Sequence, residues 1–215
     1  GNAKFKKLTP VDPNSTNPYQ LTEADRTVIG NTTPKFSGGF GLNATYKGFD
    51  MSMFFNFMYD FDVLNANKIM LTTWADNKEN NFLMDIASDK RWRNFDDMGN
   101  EIRYSPEVLA EFNKNATMWN PTSIGRPICM SYAVEDGSFL RLNSATLGYT
   151  LPSVWTKKVG LSKVRFYVSG NNLFTLTGYS GYDPEVNIAT GLTPNIDYNR
   201  YPRSRTYTFG AQLTF

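Results

Sequence analysis

Residues 36–61 read FSGGFGLNATYKGFDMSMFFNFMYDF, and this stretch decides the fold class. In its first half, apolar side chains or glycine recur at every second position, with small and polar residues between them. After the pair Lys47-Gly48 the same period resumes, and only Phe54 and Met58 break it. A period of two indicates extended strands, and a two-residue break with glycine between matched runs is typical of a β-hairpin. The stretch therefore predicts two antiparallel strands, at residues 36–47 and 49–62.

Three later runs alternate in the same way, at residues 139–151, 163–172 and 205–215. The first keeps its period only if the register shifts near Asn143-Ser144, which predicts a β-bulge there. The five predicted strands reach the roughly 9 to 11 residues that a tilted strand needs to cross a bilayer, whereas strands of soluble sheets centre on about 5 or 6. Their apolar faces hold no Asp, Glu or Lys. The predicted fold is therefore all-β, an antiparallel transmembrane β-barrel fragment.

The connections between the predicted strands alternate between short and long. Barrels of the bacterial outer membrane have short periplasmic turns and long external loops. We therefore expect the C-terminus on the periplasmic side and extracellular loops at residues 1–35, 63–137 and 175–202. Inside the second loop, Ser105 followed by Pro106 predicts the start of a helix that runs to about Asn113.

Composition argues against several other functions. The chain of 215 residues has no histidine, so the commonest catalytic base and metal ligand is absent. The lone Cys129 cannot form a disulfide within the chain, and a net charge of +2 gives no basic surface for nucleic acid. We expect no enzyme activity, no cofactor, no bound metal and no nucleic-acid partner.

Four segments resemble the C-terminal region of SusC/RagA-type TonB-dependent outer-membrane transporters. They are DRTVIGNTTPKFSGGFGLNATYKGFDMSMFF at 25–55, EDGSFLRLNSATLGYTLP at 135–152, VRFYVSGNNLFTLTGYSGYDPEV at 164–186 and YPRSRTYTFGAQLTF at 201–215. The resemblance implies a plugged barrel of about 22 strands, of which this chain would supply about five at the C-terminal end. It also implies TonB-dependent uptake of oligosaccharides or peptides with a SusD-like surface lipoprotein as a lid.

In this family the plug and the TonB box lie upstream of the resembling region. We therefore expect the plug domain and the true N-terminus to be absent from this sequence. The lipid bilayer and the remainder of the same barrel would be the immediate partners of these strands.

Two sets of aromatic residues are candidates for roles in the barrel wall. The last run alternates up to the terminal residue and resembles the C-terminal signal read by the barrel-assembly machinery, although an ordinary last strand would look similar; its residues are Tyr207, Phe209, Leu213 and Phe215. Other aromatic residues flank the short turns and predict part of an interface girdle, with packing inside the turns as the alternative. These are Tyr46, Phe49, Tyr149 and Trp155.

The long segment 63–137 contains further aromatic residues, whose flat faces could stack on sugar rings. The candidate substrate contacts are Trp74, Trp92, Tyr104 and Trp119. Aromatic residues in loops also hold the loop itself together, and this alternative stays open.

Two other functions fit the strand pattern. One is a passive porin or a barrel adhesin without energy coupling. The other is a soluble extracellular β-sandwich that binds a partner or a glycan, since a sandwich also has one apolar face per sheet.

Overall fold

The computed structural model describes residues 2–11, 14, 16–73, 81–86, 89–124, 128–186 and 194–215. The strands are β1 (Phe36–Tyr46), β2 (Phe49–Tyr59), β3 (Asp62–Asn65), β4 (Val134–Asp136), β5 (Phe139–Thr150), β6 (Lys163–Thr177), β7 (Ile196–Asp197) and β8 (Thr206–Thr214). The α-helices are α1 (Ala66–Met70), α2 (Pro106–Phe112) and α3 (Ser153–Thr156). Single-turn 3₁₀ helices lie at Glu23–Asp25, Met84–Ile86, Pro121–Ser123, Ser131–Ala133 and Lys157–Val159. Within these described ranges, no helix is long and apolar enough to cross a membrane.

The chain divides into two compact units. The sheet unit comprises Gly30–Leu64 and Val134–Phe215, and the loop unit comprises Gly1–Ile29 and Asn65–Ala133.

The sheet unit contains a five-stranded antiparallel sheet in the order β1-β2-β5-β6-β8. Its first hairpin turns at Lys47 and Gly48, whose φ angles are 46° and 90°. Positive φ at both central residues is what a two-residue hairpin turn requires. A side chain on Gly48 would also lie 2.8 Å from the carbonyl oxygen of Thr150. The sheet confirms the prediction of an antiparallel all-β fold.

The predicted β-bulge is confirmed, because the pairing of β5 shifts register between Leu142 and Ser144. β6 is irregular at the same level, where Asn172 has a φ of 52°. The ladder then resumes with Leu142 opposite Phe174. For this reason β6 continues to Thr177 and does not end at the predicted residue 172.

A second, three-stranded sheet with the order β4-β3-β7 was missing from the sequence prediction. β2 ends at Tyr59, before the predicted residue 62, because Asp60 has a φ of 58° and turns the chain into β3. Strands of two to four residues are too short to show a period, so the sequence pattern gave no sign of this sheet.

Both units contain buried apolar residues. In the sheet unit the core lies where β2 ends and β5 begins, and it consists of Phe61, Val63, Phe139, Tyr179 and Val186, with Met58 packed against it. The buried residues of the loop unit include Ile69, Ile86, Ile102 and Ile124. The predicted helix is present there as α2, with Pro106 in its first turn, although the Ser105 side chain makes no capping hydrogen bond.

Candidate functional site

The five-stranded sheet has one apolar and one polar face. One cross-strand row is apolar in all five strands: Ala44, Met51, Leu147, Val168 and Phe209. The next row, on the other side of the sheet, is polar in all five: Asn43, Ser52, Thr146, Ser169 and Thr208. We call these two sides the apolar face and the polar face. The apolar face is widely exposed, with Phe209 80% and Leu147 48% accessible. An apolar surface of this extent requires an apolar medium or a partner.

The two exceptions to the alternation of β2 have local explanations. Phe54 lies on the polar face, where a Cβ atom on Gly39 of β1 would come within 2.8 Å of its ring. The ring therefore occupies the space that the glycine leaves. Met58 packs against the apolar core of the sheet unit. Neither residue interrupts the apolar face.

At one end of the polar face an ion pair joins two strands across a third. We call this the turn end, because it carries the Lys47-Gly48 turn. Arg165 of β6 donates from Nε to Asp50 Oδ1 of β2 at 2.9 Å, and its Nη2 also bonds this carboxylate. The guanidinium passes over Gly148 of β5, where a side chain would collide with it. Glycine at this position therefore permits the pairing.

At the opposite end of the sheet, which we call the core end, a second arginine is buried. Arg141 of β5 donates from Nη2 to Asp183 Oδ1 at 2.5 Å. Burial raises the pKa of Asp183, but the hydrogen bonds from Arg141 and from the backbone N–H of Glu185 lower it more, so that the pKa lies below its ordinary value. Asp183 is therefore ionised at neutral pH.

Tyr179 is buried in the core of the sheet unit and donates to Asp197 Oδ2 at 2.7 Å. Its burial and this hydrogen bond to a carboxylate raise its pKa. In the part of the chain that the structure describes, no group of three or more His, Cys, Asp or Glu side chains could hold a metal ion.

Comparison with known proteins identifies the family. A scan against protein-family models gives no match. TonB-dependent receptor P3 of Formosa agariphila is 35% identical over 202 residues, which are 91% of this chain and 18% of that receptor. TonB-dependent receptor SusC of Bacteroides thetaiotaomicron is 38% identical over 88 residues, which are 39% of this chain and 8% of that receptor. The chain belongs to the TonB-dependent receptors.

Solved structures agree with this assignment. The RagAB peptide importer in its closed-closed state has a TM-score of 0.68 at 26% identity, over 91% of this receptor chain and 19% of that chain. Its open-open state, at 24% identity, shows the same fold with a TM-score of 0.69, over 99% of this receptor chain and 21% of that one. The predicted relation to SusC/RagA-type receptors is confirmed. The receptor chain spans about one fifth or less of the length of these relatives.

Membership of this family has two direct consequences. TonB-dependent receptors are proteins of the bacterial outer membrane, so the receptor chain is an outer-membrane protein. Its relatives are receptors and importers, so it belongs to a transport family and not to an enzyme family.

Three of the four residues predicted to form an interface girdle lie in one row at the turn end of the receptor sheet. Tyr46, Phe49 and Tyr149 follow one another in a cross-strand row, and the rings of Phe49 and Tyr149 are 4.5 Å apart. The row continues with Phe166, which the sequence analysis missed although it belongs to the apolar alternation of β6. Trp155 lies in α3, directly after β5, and is 59% exposed.

The residues of the predicted assembly signal lie along the last strand of the receptor chain. Tyr207, Phe209 and Leu213 are exposed on the apolar face, and Phe215 follows the end of β8 with 89% exposure. Among the described strands, β8 pairs only with β6, and β1 pairs only with β2. Both edges of the receptor sheet are thus open to further strands.

The predicted substrate contacts of the receptor fall into different environments within the loop unit. Trp119 makes contacts inside the loop unit: its Nε1 donates to the Thr72 carbonyl oxygen at 3.1 Å, and its ring meets Tyr132 edge-on at 5.1 Å. Trp92 is half-buried, and Tyr104 is 80% exposed. Trp74 lies outside the described residues.

Proposed function

We propose that this chain forms part of the barrel wall of an importer that takes up oligosaccharides or peptides by a TonB-dependent mechanism, together with a SusD-like surface lipoprotein. The carrying observation is the pair of adjacent rows that are wholly apolar and wholly polar across five long strands. Such a wall suits lipid on one side and a water-filled lumen on the other. The names of the relatives support import, because SusC is a TonB-dependent receptor and RagAB is a peptide importer.

The proposed orientation places the turn end in the periplasm and the core end outside. The supporting observation is that short connections lie at the turn end, whereas residues 60–138 and 178–205 connect strands at the core end. In this orientation the row Tyr46, Phe49 and Tyr149, and Trp155 in the helix that follows β5, would form part of the periplasmic aromatic girdle. The last strand would carry the assembly signal and pair its free edge with another strand of the same barrel.

In the same orientation, the exposed Tyr104 and the half-buried Trp92 would lie on the extracellular side. We propose these two residues as substrate contacts, because their rings have accessible surface. Trp119 is a weaker candidate, since its indole N–H already has a partner within the loop unit.

The orientation can be tested by labelling cysteines in intact cells that express the whole receptor. The exposed Cys129 is first replaced by serine. Single cysteines at Val159, at the turn end, and Tyr182, at the core end, are then compared, since both positions are well exposed. A membrane-impermeant thiol reagent should label Tyr182→Cys in intact cells and Val159→Cys only after lysis. Labelling of Val159→Cys in intact cells would contradict the orientation.

The assignment of the two faces can be tested on neighbouring residues of one strand. Met53 lies on the apolar face and the exposed Ser52 on the polar face of β2. Met53→Arg should reduce the free energy of unfolding of the barrel by roughly 2 to 4 kcal/mol near the bilayer midplane, and Ser52→Arg should have a much smaller effect. The folded fraction is read from heat-modifiable migration. Equal losses in the two variants would show that the face assignment is wrong.

Energy coupling separates an importer from a passive pore. Cells that depend on the whole receptor for growth on a panel of oligosaccharides and oligopeptides should lose that growth when TonB is deleted. Growth that persists without TonB would favour a porin.

A further inference from the structure

Arg141 is buried on the polar face of the sheet, although a charged guanidinium is normally exposed to water. Only 2% of the Arg141 side chain is exposed, and its guanidinium carbon lies 5.4 Å from the centre of the Phe139 ring. Removing such a charge from water costs several kcal/mol unless partners of opposite charge surround it. Two carboxylates do so: Asp183 accepts its hydrogen bond, and Glu185 Oε2 lies 3.7 Å from Nη1.

These partners come from outside the sheet. Within the sheet, Arg141 lies between Asn56 of β2 and Thr175 of β6, which are its neighbours in the ladder. Its carboxylates belong to the segment Gly178–Val186, which directly follows β6. The ion pairs therefore connect β5 of the sheet to the segment Gly178–Val186, which lies outside the sheet.

Other contacts tie the same segment down. Tyr179, 6% exposed, packs into the core of the sheet unit. Ser180 donates from its backbone N–H to Glu135 Oε2 at 3.0 Å and from its hydroxyl to Oε1 at 2.8 Å. Arg203, just before β8, donates to Glu185 Oε1 at 2.7 Å. Both ends of the connection between β6 and β8 thus meet at the carboxylates that face Arg141.

The ion pairs around Arg141 restrict the position of the segment Gly178–Val186 more than they increase the free energy of unfolding. Arg141 Nε and Glu185 Oε2 are buried without a hydrogen-bond partner among the described residues. A buried ion pair with incomplete hydrogen bonding is a weak source of net stability, because desolvation offsets the attraction. Breaking it, however, leaves a buried charge uncompensated, so the alternative positions of the segment are disfavoured.

We propose that Arg141 is a latch that holds the segment Gly178–Val186 in one position against the polar face. The segment then keeps one position at the core end of the sheet, beside the import path, and does not move during import. The location at the mouth of an import path rests on the proposed function. The latch itself can be measured on the purified receptor without any transport.

The first measurement is the distance between two spin labels in the whole receptor in detergent. Labels are attached to Tyr182→Cys, in the segment, and Ser52→Cys, on β2, after Cys129→Ser. We expect a narrow distance distribution in this parent protein and a distribution at least twice as wide after Asp183→Asn. Arg141→Lys, which keeps the charge but has one nitrogen in place of the planar fork, should give an intermediate width.

The second measurement is amide hydrogen exchange. The backbone N–H groups of Ser180 and Glu185 donate to carboxylates within this network. Exchange in residues 178–186 should accelerate at least tenfold after Asp183→Asn, whereas exchange in β1 and β2 should stay unchanged. The control is Lys35→Gln, which removes the exposed ion pair with Asp60 in the same unit and should alter neither measurement.

A broad distance distribution in the parent would show that the segment moves with the network intact, and would overturn the proposal. Unchanged distances and exchange after Asp183→Asn would overturn it as well. If Arg141→Lys fails to assemble, Asp183→Asn alone decides, since it removes a charge from the loop and leaves the strand unaltered. A receptor that transports nothing but shows the expected broadening would contradict the proposed function and leave the latch intact.

Discussion

Each end of the polar face has an ion pair between an arginine and an aspartate, but the two pairs have different roles. At the core end, Arg141 and Asp183 connect the sheet to a segment outside it, and the arginine side chain is 2% exposed. At the turn end, Arg165 and Asp50 connect two strands within the sheet, and their side chains are 20% and 35% exposed. Water can replace a lost partner at the turn end but not at the core end. The comparison shows that the surroundings of an ion pair, more than its chemistry, decide what its removal does.

The largest expected effect is the loss of the buried arginine. Arg141→Met leaves Asp183 buried without its guanidinium and should reduce the free energy of unfolding of the whole receptor by about 3 to 5 kcal/mol. The double variant Arg141→Met/Asp183→Leu should lose less, because it removes the uncompensated charge. Both are measured by urea unfolding in detergent. A double variant less stable than the single one would contradict this account of the core end.

The pH dependence of the same pair gives a smaller and more specific effect. The folded pKa of Asp183 is lowered, so its contribution is complete above the ordinary carboxyl pKa of about 3.9 and is lost as pH falls through the folded value. The difference in stability between the parent and Asp183→Asn should therefore be constant from about pH 6 to 8 and shrink below about pH 4. A difference that grows on acidification would show that another group controls this end.

Glycine-to-alanine substitutions compare how well the packing at each end of the sheet accommodates an added methyl group. A Cβ atom on Gly137 would lie 2.5 Å from Phe61 and 2.6 Å from Val63, both packed in the core. Gly137→Ala should therefore destabilise the receptor by roughly 1 to 3 kcal/mol, as overpacking of a core does. A Cβ atom on Gly148 would instead meet the ends of the partly exposed Arg165 and Asp50 side chains, which can move aside, so Gly148→Ala should have a smaller effect. Thermal unfolding of the two variants measures the difference, and a larger loss for Gly148→Ala would reverse the ranking of the two ends.

The smallest effect is expected for the partly exposed pair of Arg165 and Asp50. Arg165→Gln should lower the unfolding midpoint slightly in dilute buffer, and the difference should vanish as the salt concentration rises, because ions screen an accessible pair. The Arg141→Met difference should persist at high salt. A decrease of the unfolding midpoint by Arg165→Gln that does not depend on salt would mean that water and ions reach the turn end less than its exposure indicates.

Local patterns predicted much of the sheet. The hairpin of β1 and β2 follows from alternation and the Lys47-Gly48 pair, the bulge from the slip near Asn143, and α2 from Pro106. Each of these signals depends on residues a few positions apart. The length of β6 was predicted wrongly because the irregularity at Asn172 looks like the end of an alternating run.

The candidate sites were harder to predict because their partners are distant in sequence. Trp119 finds its carbonyl partner 47 residues away, and Arg141 finds Asp183 42 residues away. In the sequence, an arginine in an alternating strand resembles any other residue of the polar face. Only the fold reveals that one such arginine is buried.

The turn at Lys47-Gly48 and the long connection between β2 and β5 differ in how much change they can accept. The turn has two residues with positive φ and a backbone oxygen close behind Gly48, so stereochemistry restricts its length and requires glycine at position 48. The connection, residues 60–138, leaves and re-enters the sheet at neighbouring strands. This connection contains surface loops, and doubling the length of one flexible loop adds only about 0.6 kcal/mol of closure entropy. Insertions can therefore accumulate on one side of this wall while the other side stays unchanged, which allows new surfaces to evolve on a constant membrane scaffold.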